Sequence, residues 1–204
     1  MIRINDIEKP TKKILCLGYS QSQTKLIDAL VANNCIVDHT EEKIEAIKGY
    51  DCVVSYGYRH ILKQNVIDGF DCPIFNLHIS YLPYNRGAHP NFWSFYDNTP
   101  SGVTIHLIDS GVDTGQIVKQ KYVNFQESDD TFVKTHSALI ENIENLFLEF
   151  LPSLLTDTWT AEKQRGIGTH HYARDLPTNF SGWNSVITEE LSRLDYKGLV
   201  YDSQ

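Results

Sequence analysis

The amino-acid sequence predicts an α/β fold: an open, mostly parallel sheet with helices on both faces, plus a short C-terminal extension. Three observations predict it. Short apolar runs such as KILCLG (13–18) and DCVVSY (51–56) are bounded by polar turns, and the valines of the second suit a strand buried on both faces. An amphipathic stretch from Ser22 to Asn33 lies between such runs, and strands alternating with helices build parallel βαβ units. Finally, 204 residues with 41% hydrophobic and 22% charged side chains can bury a core without staples, because a chain of this size removes about 70% of its unfolded surface from water.

Each element follows in order. Residues 13–18 end on a glycine and lead through a polar turn into the helix of Ser22 to Asn33. Cys35 to Asp38 forms a short strand, Glu41 to Lys48 a short helix, and Asp51 to Tyr56 the next strand. Pro73 to His78 is a further strand, its proline tolerated because it opens the run. Pro90 to Tyr96 reads as helix, Gly102 to Asp109 alternates as a strand, Ser110 to Thr114 is a turn, and Gly115 to Asn124 resumes as strand. Ser128 is placed to cap a long helix reaching about Leu151, with Asp129 and Asp130 in its first turn. The succession is Rossmann-like. Beyond Pro152 the pattern weakens, and Trp159, Tyr172, Trp183 and Tyr201 stand among Gly, Pro and polar residues. Residues 1–151 are therefore expected to form the main domain, and residues 152–204 an extension packed on that core or at a homodimer interface.

The composition excludes several classes. A net charge of −8 supplies no clustered cations to neutralise phosphates, so no nucleic-acid partner is expected. Cys16, Cys35, Cys52 and Cys72 form no Cys-x-x-Cys pair and lie in or beside apolar runs, as reduced core thiols do. His39, His60, His106, His136, His170 and His171 lack metal-ligand spacing with acids or cysteines, so they are read as structural and no metal is expected. No apolar run of membrane-spanning length and no signal-like start appears, which makes no membrane partner and a cytoplasmic address the expectation. No Gly-x-Gly-x-x-Gly turn follows Leu17, against a dinucleotide-binding oxidoreductase.

Ligands of open parallel sheets bind beyond the carboxyl ends of the strands, where Asn76 and His78 stand. Two apart on one strand, they share a face. Acyl transfer to an amine needs a donor for the developing oxyanion and a group that handles the proton lost by nitrogen, which an amide and an imidazole can supply. Such a pair alone equally fits a buried Asn and His bonded to backbone. Asp113, between Gly111 and Gly115, lies in a turn that can hold its carboxylate against the imidazole or serve only as an Asx turn, and Asp109 is the rival acid.

Three linked segments narrow the choice: FNLHISYLPYNRG (75–87), GVTIHLIDSGVDTG (102–115) and, upstream, DCVVSYGYRHIL (51–62). Together they resemble the formyltetrahydrofolate-dependent formyltransferase family, and within it most closely the nucleotide-amino-sugar N-formyltransferases. Its motif Asn-x-His-x-Ser-x-Leu-Pro, followed by Arg-Gly and then by an Asp-x-Gly turn, matches Asn76, His78 and Asp113, the last 35 residues on from His78. The resemblance implies that these three are catalytic. It implies N10-formyltetrahydrofolate as co-substrate, with Tyr58, Arg59, Ile61 and Leu62 lining its pocket beside Ser110 and Gly111. Tyr84, Asn85, Arg86, His89 and Trp93, in the polar and aromatic loop after the catalytic strand, are the candidate acceptor-binding residues; Arg86 suits a phosphate, and Trp93 either stacks on a ring or packs in the core.

Within that family, methionyl-tRNA formyltransferases carry an additional nucleic-acid-binding domain, for which about 50 residues after Pro152 are too few. Glycinamide ribonucleotide formyltransferases wrap a phosphate in a glycine- and serine-rich loop, whereas the turn Gly18 to Thr24 has one glycine and a bulky tyrosine. The remaining acceptor is a nucleotide-linked amino sugar, which points to lipopolysaccharide or glycan biosynthesis. Glycinamide ribonucleotide formyl transfer is the alternative, and a non-catalytic nucleotide-binding module is the alternative of another class.

Overall fold

The structure, a computed structural model, describes residues 1–45 and 47–194; Tyr201 lies outside the described residues. The elements are β1 (Ile2–Arg3), β2 (Lys13–Gly18), α1 (Leu26–Ala32), β3 (Ile36–Thr40), β4 (Cys52–Tyr56), α2 (Gln64–Ile67), β5 (Ile74–His78), β6 (Arg86–Gly87), α3 (Pro90–Tyr96), β7 (Gly102–Leu107), β8 (Ile117–Tyr122), α4 (Phe132–Thr156), β9 (His170–His171) and α5 (Ile187–Arg193). Among the described residues, seven strands form one sheet in the order β1-β3-β2-β4-β5-β7-β8. β3, β2, β4 and β5 are parallel neighbours, as the alternating pattern predicts. β7 runs antiparallel to β5, and β8 antiparallel to β7, so β8 shares the direction of the parallel set. Residues 79–101, with β6 and α3, connect β5 to β7, and β7 joins β8 through the 108–116 turn.

The pleat explains both faces. Ile14, Cys16, Val54, Phe75 and Leu77 point to one side, where Leu26, Ile27 and Leu30 of α1 and Leu139, Ile143, Phe147 and Phe150 of α4 cover them. Leu15, Leu17, Val53 and Ile74 point to the other, against α2 and the 44–50 segment. Asn76 and His78 share the face of Ile74 by the period of two and project where β5 ends. Cys16, Cys35 and Cys52 are buried, and burial pushes the Cys16 thiol up to about 12, consistent with an inert core thiol.

Several predicted boundaries moved, each for a tertiary reason. No helix forms among the described residues of 41–48; Ile44 and Ile47 pack on the second cluster, and a run this short cannot nucleate alone. The long helix begins at Phe132 rather than at Ser128, because Thr131 pairs with Val186 and the Asp130 carbonyl accepts the Ile187 amide, holding that stretch extended. Asp129 and Asp130 therefore lie outside its first turn. At the other end it passes the expected boundary at 151 and continues through Pro152 to Thr156, since Leu151 and Leu154 extend its buried stripe and a proline near the end removes only one ladder bond.

The described residues after Thr156 pack back on the core. Trp159 meets Phe75 edge to face at 5.1 Å, and a third cluster unites Phe92 and Trp93 of α3, Phe132 of α4 and Ile187 of α5. Phe75 is fully buried between Phe150 and Trp159. Phe75→Ala should thus lower the unfolding free energy by about 3–5 kcal/mol, measured by chemical denaturation. A loss under about 1 kcal/mol would contradict this packing.

Candidate active site

At the end of β5, four polar side chains from three segments meet. The antiparallel register sets His106 of β7 directly opposite Asn76. Asn76 Nδ2 donates to His106 Nε2 at 3.1 Å and to Asp113 Oδ1 at 3.3 Å. His106 Nδ1 lies 2.8 Å from the Leu107 carbonyl; a carbonyl only accepts, so Nδ1 carries the proton and Nε2 is free to accept. By the same logic, His78 Nε2 donates to the Asn85 carbonyl at 3.1 Å, which leaves Nδ1 as the basic position of the neutral ring. Asp113 approaches both imidazoles, Oδ2 at 3.6 Å from His78 Nε2 and Oδ1 at 3.4 Å from His106 Nε2.

The turn that carries Asp113 is forced into shape. Asp113 has φ 54°, a left-handed conformation costly for a residue with a Cβ, and a Cβ at Gly115 would fall 1.7 Å from the Leu107 carbonyl oxygen. The Gly87 amide donates to Asp113 Oδ2 at 2.8 Å. Burial alone would raise the Asp113 carboxyl. The His78 and His106 imidazoles and the Gly87 N–H more than offset it and hold the group well below the usual carboxylate range, ionised at neutral pH. Asp109, the rival acid, spends Oδ1 on the Gly111 amide and the Thr114 hydroxyl and so shapes the turn from outside.

Two clefts flank this cluster. One, of about 200 Å³, is lined by Tyr58, Arg59, Ile61, Leu62, Ser110 and Gly111 together with Asn76, His106 and Asp113, so all six residues expected at the co-substrate face one space. Ile61 lies 78% exposed there, an apolar side chain with nothing of this chain over it. The other, of about 300 Å³, holds Asn76, His78, Gly87 and Asp113 against Tyr19, Tyr56 and His136. It adjoins a mostly apolar cleft of about 460 Å³ between His89, Phe132, Val133 and Trp183, sharing Ile79, Pro90 and His136 with it. Burial lowers the His89 and His136 imidazoles, which keeps them neutral at pH 7.

The five candidate acceptor residues do not converge. His89 lines the apolar cleft, while Tyr84 lies in a separate cleft against β8. Asn85 is fully buried, its side chain bonded to Thr99 and Thr169, and acts on the site only through its carbonyl. Trp93 is 5% exposed and stacks on His171 at 3.9 Å, so of its two expected roles it takes the core one. Arg86 donates through Nε and Nη2 to Gln164 Oε1, and β6 pairs with β9. Asn85 and Trp93 are withdrawn from the clefts because the C-terminal residues 164–171 cover them.

His106 was read as structural, and the structure brings it into the centre. The signal available was weak: Thr104 and His106 share one face of a strand, but only an antiparallel partner puts that face beside Asn76. Gly87 stood in the Arg-Gly of the motif without a role of its own, His136 was read as structural, and Gln164 gave no signal. Among the described residues no group of three or more His, Cys, Asp or Glu is placed to hold a metal, and no helix is long and apolar enough to cross a membrane.

Comparison with known proteins follows this geometry. The dTDP-4-amino-4,6-dideoxyglucose formyltransferase of Mycobacterium tuberculosis is 30% identical over 158 residues, 78% of this chain and 61% of that protein. A methionyl-tRNA formyltransferase of Desulforamulus reducens is 28% identical over 156 residues, 76% of this chain and 47% of that protein. The chain thus spans less than two thirds of the length of these curated relatives. Among solved structures, the formyltransferase PseJ from Anoxybacillus kamchatkensis, crystallised with UDP-4,6-dideoxy-4-formamido-L-AltNAc and tetrahydrofolate, is 37% identical with a TM-score of 0.79, covering 87% of this chain and 96% of that one. The sequence model described as formyl transferase matches residues 18–151, which include Asn76, His78, His106 and Asp113. The chain belongs to the formyl transferase family.

Proposed function

We propose that the protein transfers a formyl group from N10-formyltetrahydrofolate to the amine of a nucleotide-linked amino sugar. The observation that carries this reading is the meeting of Asn76, His78 and Asp113 between two clefts, one lined by the six residues expected at the folate and one open to an acceptor. When bound, the folate supplies the formyl carbon: a bond forms from the acceptor nitrogen to that carbon, the bond to N10 breaks, and one proton passes from the acceptor nitrogen to N10. The folate cleft fits such a group, offering the exposed Ile61 side chain and backbone of the 108–113 turn to a flat, hydrogen-bonding heterocycle.

The residues of the chain divide the work. Asn76 donates to the oxyanion by exchanging its longer bond, the 3.3 Å contact with Asp113. His78, held through Nε2 by the Asn85 carbonyl, presents Nδ1 to the acceptor side and takes the proton there. Asp113 stays charged and steadies either imidazole when it is protonated.

The acceptor follows from the adjoining cleft and from PseJ, whose crystals hold a UDP-linked 4-formamido sugar. An apolar cleft with neutral imidazoles and the half-exposed Trp183 suits a nucleobase rather than a phosphate. Against glycinamide ribonucleotide, the amides of Tyr19, Ser20, Gln23 and Thr24 are already bonded within the chain, which leaves the 18–24 turn unsuited to cradle a phosphate.

Three outcomes are expected. Incubated with N10-formyltetrahydrofolate and a panel of UDP-, dTDP- and GDP-4-amino-4,6-dideoxy sugars, the protein should yield a formamido product by mass spectrometry. Turnover of glycinamide ribonucleotide with none of the sugars would overturn the proposal. His78→Ala should lower kcat by about 10² to 10⁴-fold, and a variant retaining most activity would remove His78 from proton transfer. Because the folded-state Asp113 carboxyl is depressed, its contribution to stability is present above its ordinary value of about 3.9 and is lost as pH falls below it. Thermal unfolding of wild type against Asp113→Asn should show the two curves converging between pH 4 and more acid conditions; a constant difference across that range would refute the linkage.

A further inference from the structure

Gln164 lies beyond the family-matched residues 18–151, yet its carboxamide touches the catalytic turn and the loop after β5 at once. Its Oε1 accepts from Arg86 Nε at 3.1 Å and from Arg86 Nη2 at 2.6 Å. Its Nε2 donates to the Asp113 carbonyl and to the Gly115 carbonyl, each at 2.8 Å. All four bonds have sound geometry, and both amide hydrogens are used. The backbone beside it is anchored, since Glu162 and Ile117 exchange two bonds of 2.8 Å, and the Asn85 amide donates to the Thr169 hydroxyl immediately before β6 and β9 pair.

We infer that Gln164 is a positioning residue for Asp113, clasping the carbonyls on either side of Thr114 so that the strained turn keeps its carboxylate on the Gly87 amide and beside the two imidazoles. The turn needs such a clasp. Asp113 sits at φ 54°, a conformation it leaves unless the surroundings over-determine it. Gln164 also ties that turn to Arg86, whose neighbour Gly87 supplies the amide that Asp113 accepts, so one carboxamide fixes both partners of the 2.8 Å contact. Through-space placement of this kind matters to rate because an error of about 1 Å costs about 10²-fold.

The inference rests on the proposed formyl transfer for its kinetic test, and a second readout makes it independent of that reading. Gln164→Ala removes all four bonds. Gln164→Glu keeps an oxygen for Arg86 but turns a second oxygen against the carbonyls of Asp113 and Gly115. Both variants should lose about 10- to 100-fold in kcat, with little change in KM for either substrate and a folded, cooperatively melting protein. Wild-type kcat in Gln164→Glu, or a loss in both that merely follows the folded fraction, would overturn the inference. In crystal structures of the two variants, the Gly87 N to Asp113 Oδ2 contact should lengthen or break. An unmoved Asp113 would overturn the inference even if the wild-type protein formylates no sugar, an outcome that counts instead against the proposed function.

Discussion

A buried, ionised carboxylate is the constraint on which the rest of the site depends. Asp113 is largely removed from water, and an unpaired charge there would be costly enough to neutralise the group or displace it. It stays charged because Gly87 N–H, Asn76 Nδ2 and two imidazoles surround it. Each partner in turn needs its own support. Gly87 can bring its amide that close only because it has no side chain: a Cβ there would lie 2.3 Å from the His171 carbonyl oxygen. His78 and His106 each spend one ring nitrogen on a backbone carbonyl, which fixes their orientation, and the other nitrogen of His106 accepts from Asn76 Nδ2.

The sheet is what lets these groups come from distant parts of the chain. Asn76 and His78 arrive on a central parallel strand buried on both faces, so their backbone cannot yield. His106 arrives from the opposite direction on β7, and Asp113 from the turn that follows it. Because β7 runs antiparallel to β5, its register sets His106 opposite Asn76, and the turn that leads into β8 returns Asp113 to the same residue, so one hairpin carries both an imidazole and the carboxylate to Asn76.

The C-terminal residues are part of the site rather than an appendage to it. Gln164 and Thr169 bond the loop after β5, His171 stacks on Trp93, and its Nε2 contacts Asp97 at 2.7 Å. Trp183 closes the far side of the apolar cleft, packed on Phe180 and Phe132. A loop held beside a cleft needs a rigid scaffold, and here residues 164–183 complete it.

The sequence by itself determined what depends on neighbours along the chain. Periodicity placed the parallel strands and the long helix, and the family resemblance singled out Asn76, His78 and Asp113, which meet in the structure, and six further residues that line one cleft. Tertiary structure alone decided what depends on residues far apart. The antiparallel partner of β5 raised His106 from a core residue to a member of the site, and pairing of Thr131 with Val186 moved the start of α4. Burial of Asn85 and Trp93 beneath residues 164–171 withdrew them from the acceptor. The physical reason is common to all three: hydrogen-bond partners and burial are set by which segments meet in space, and local propensity carries no term for contacts between distant parts of the chain.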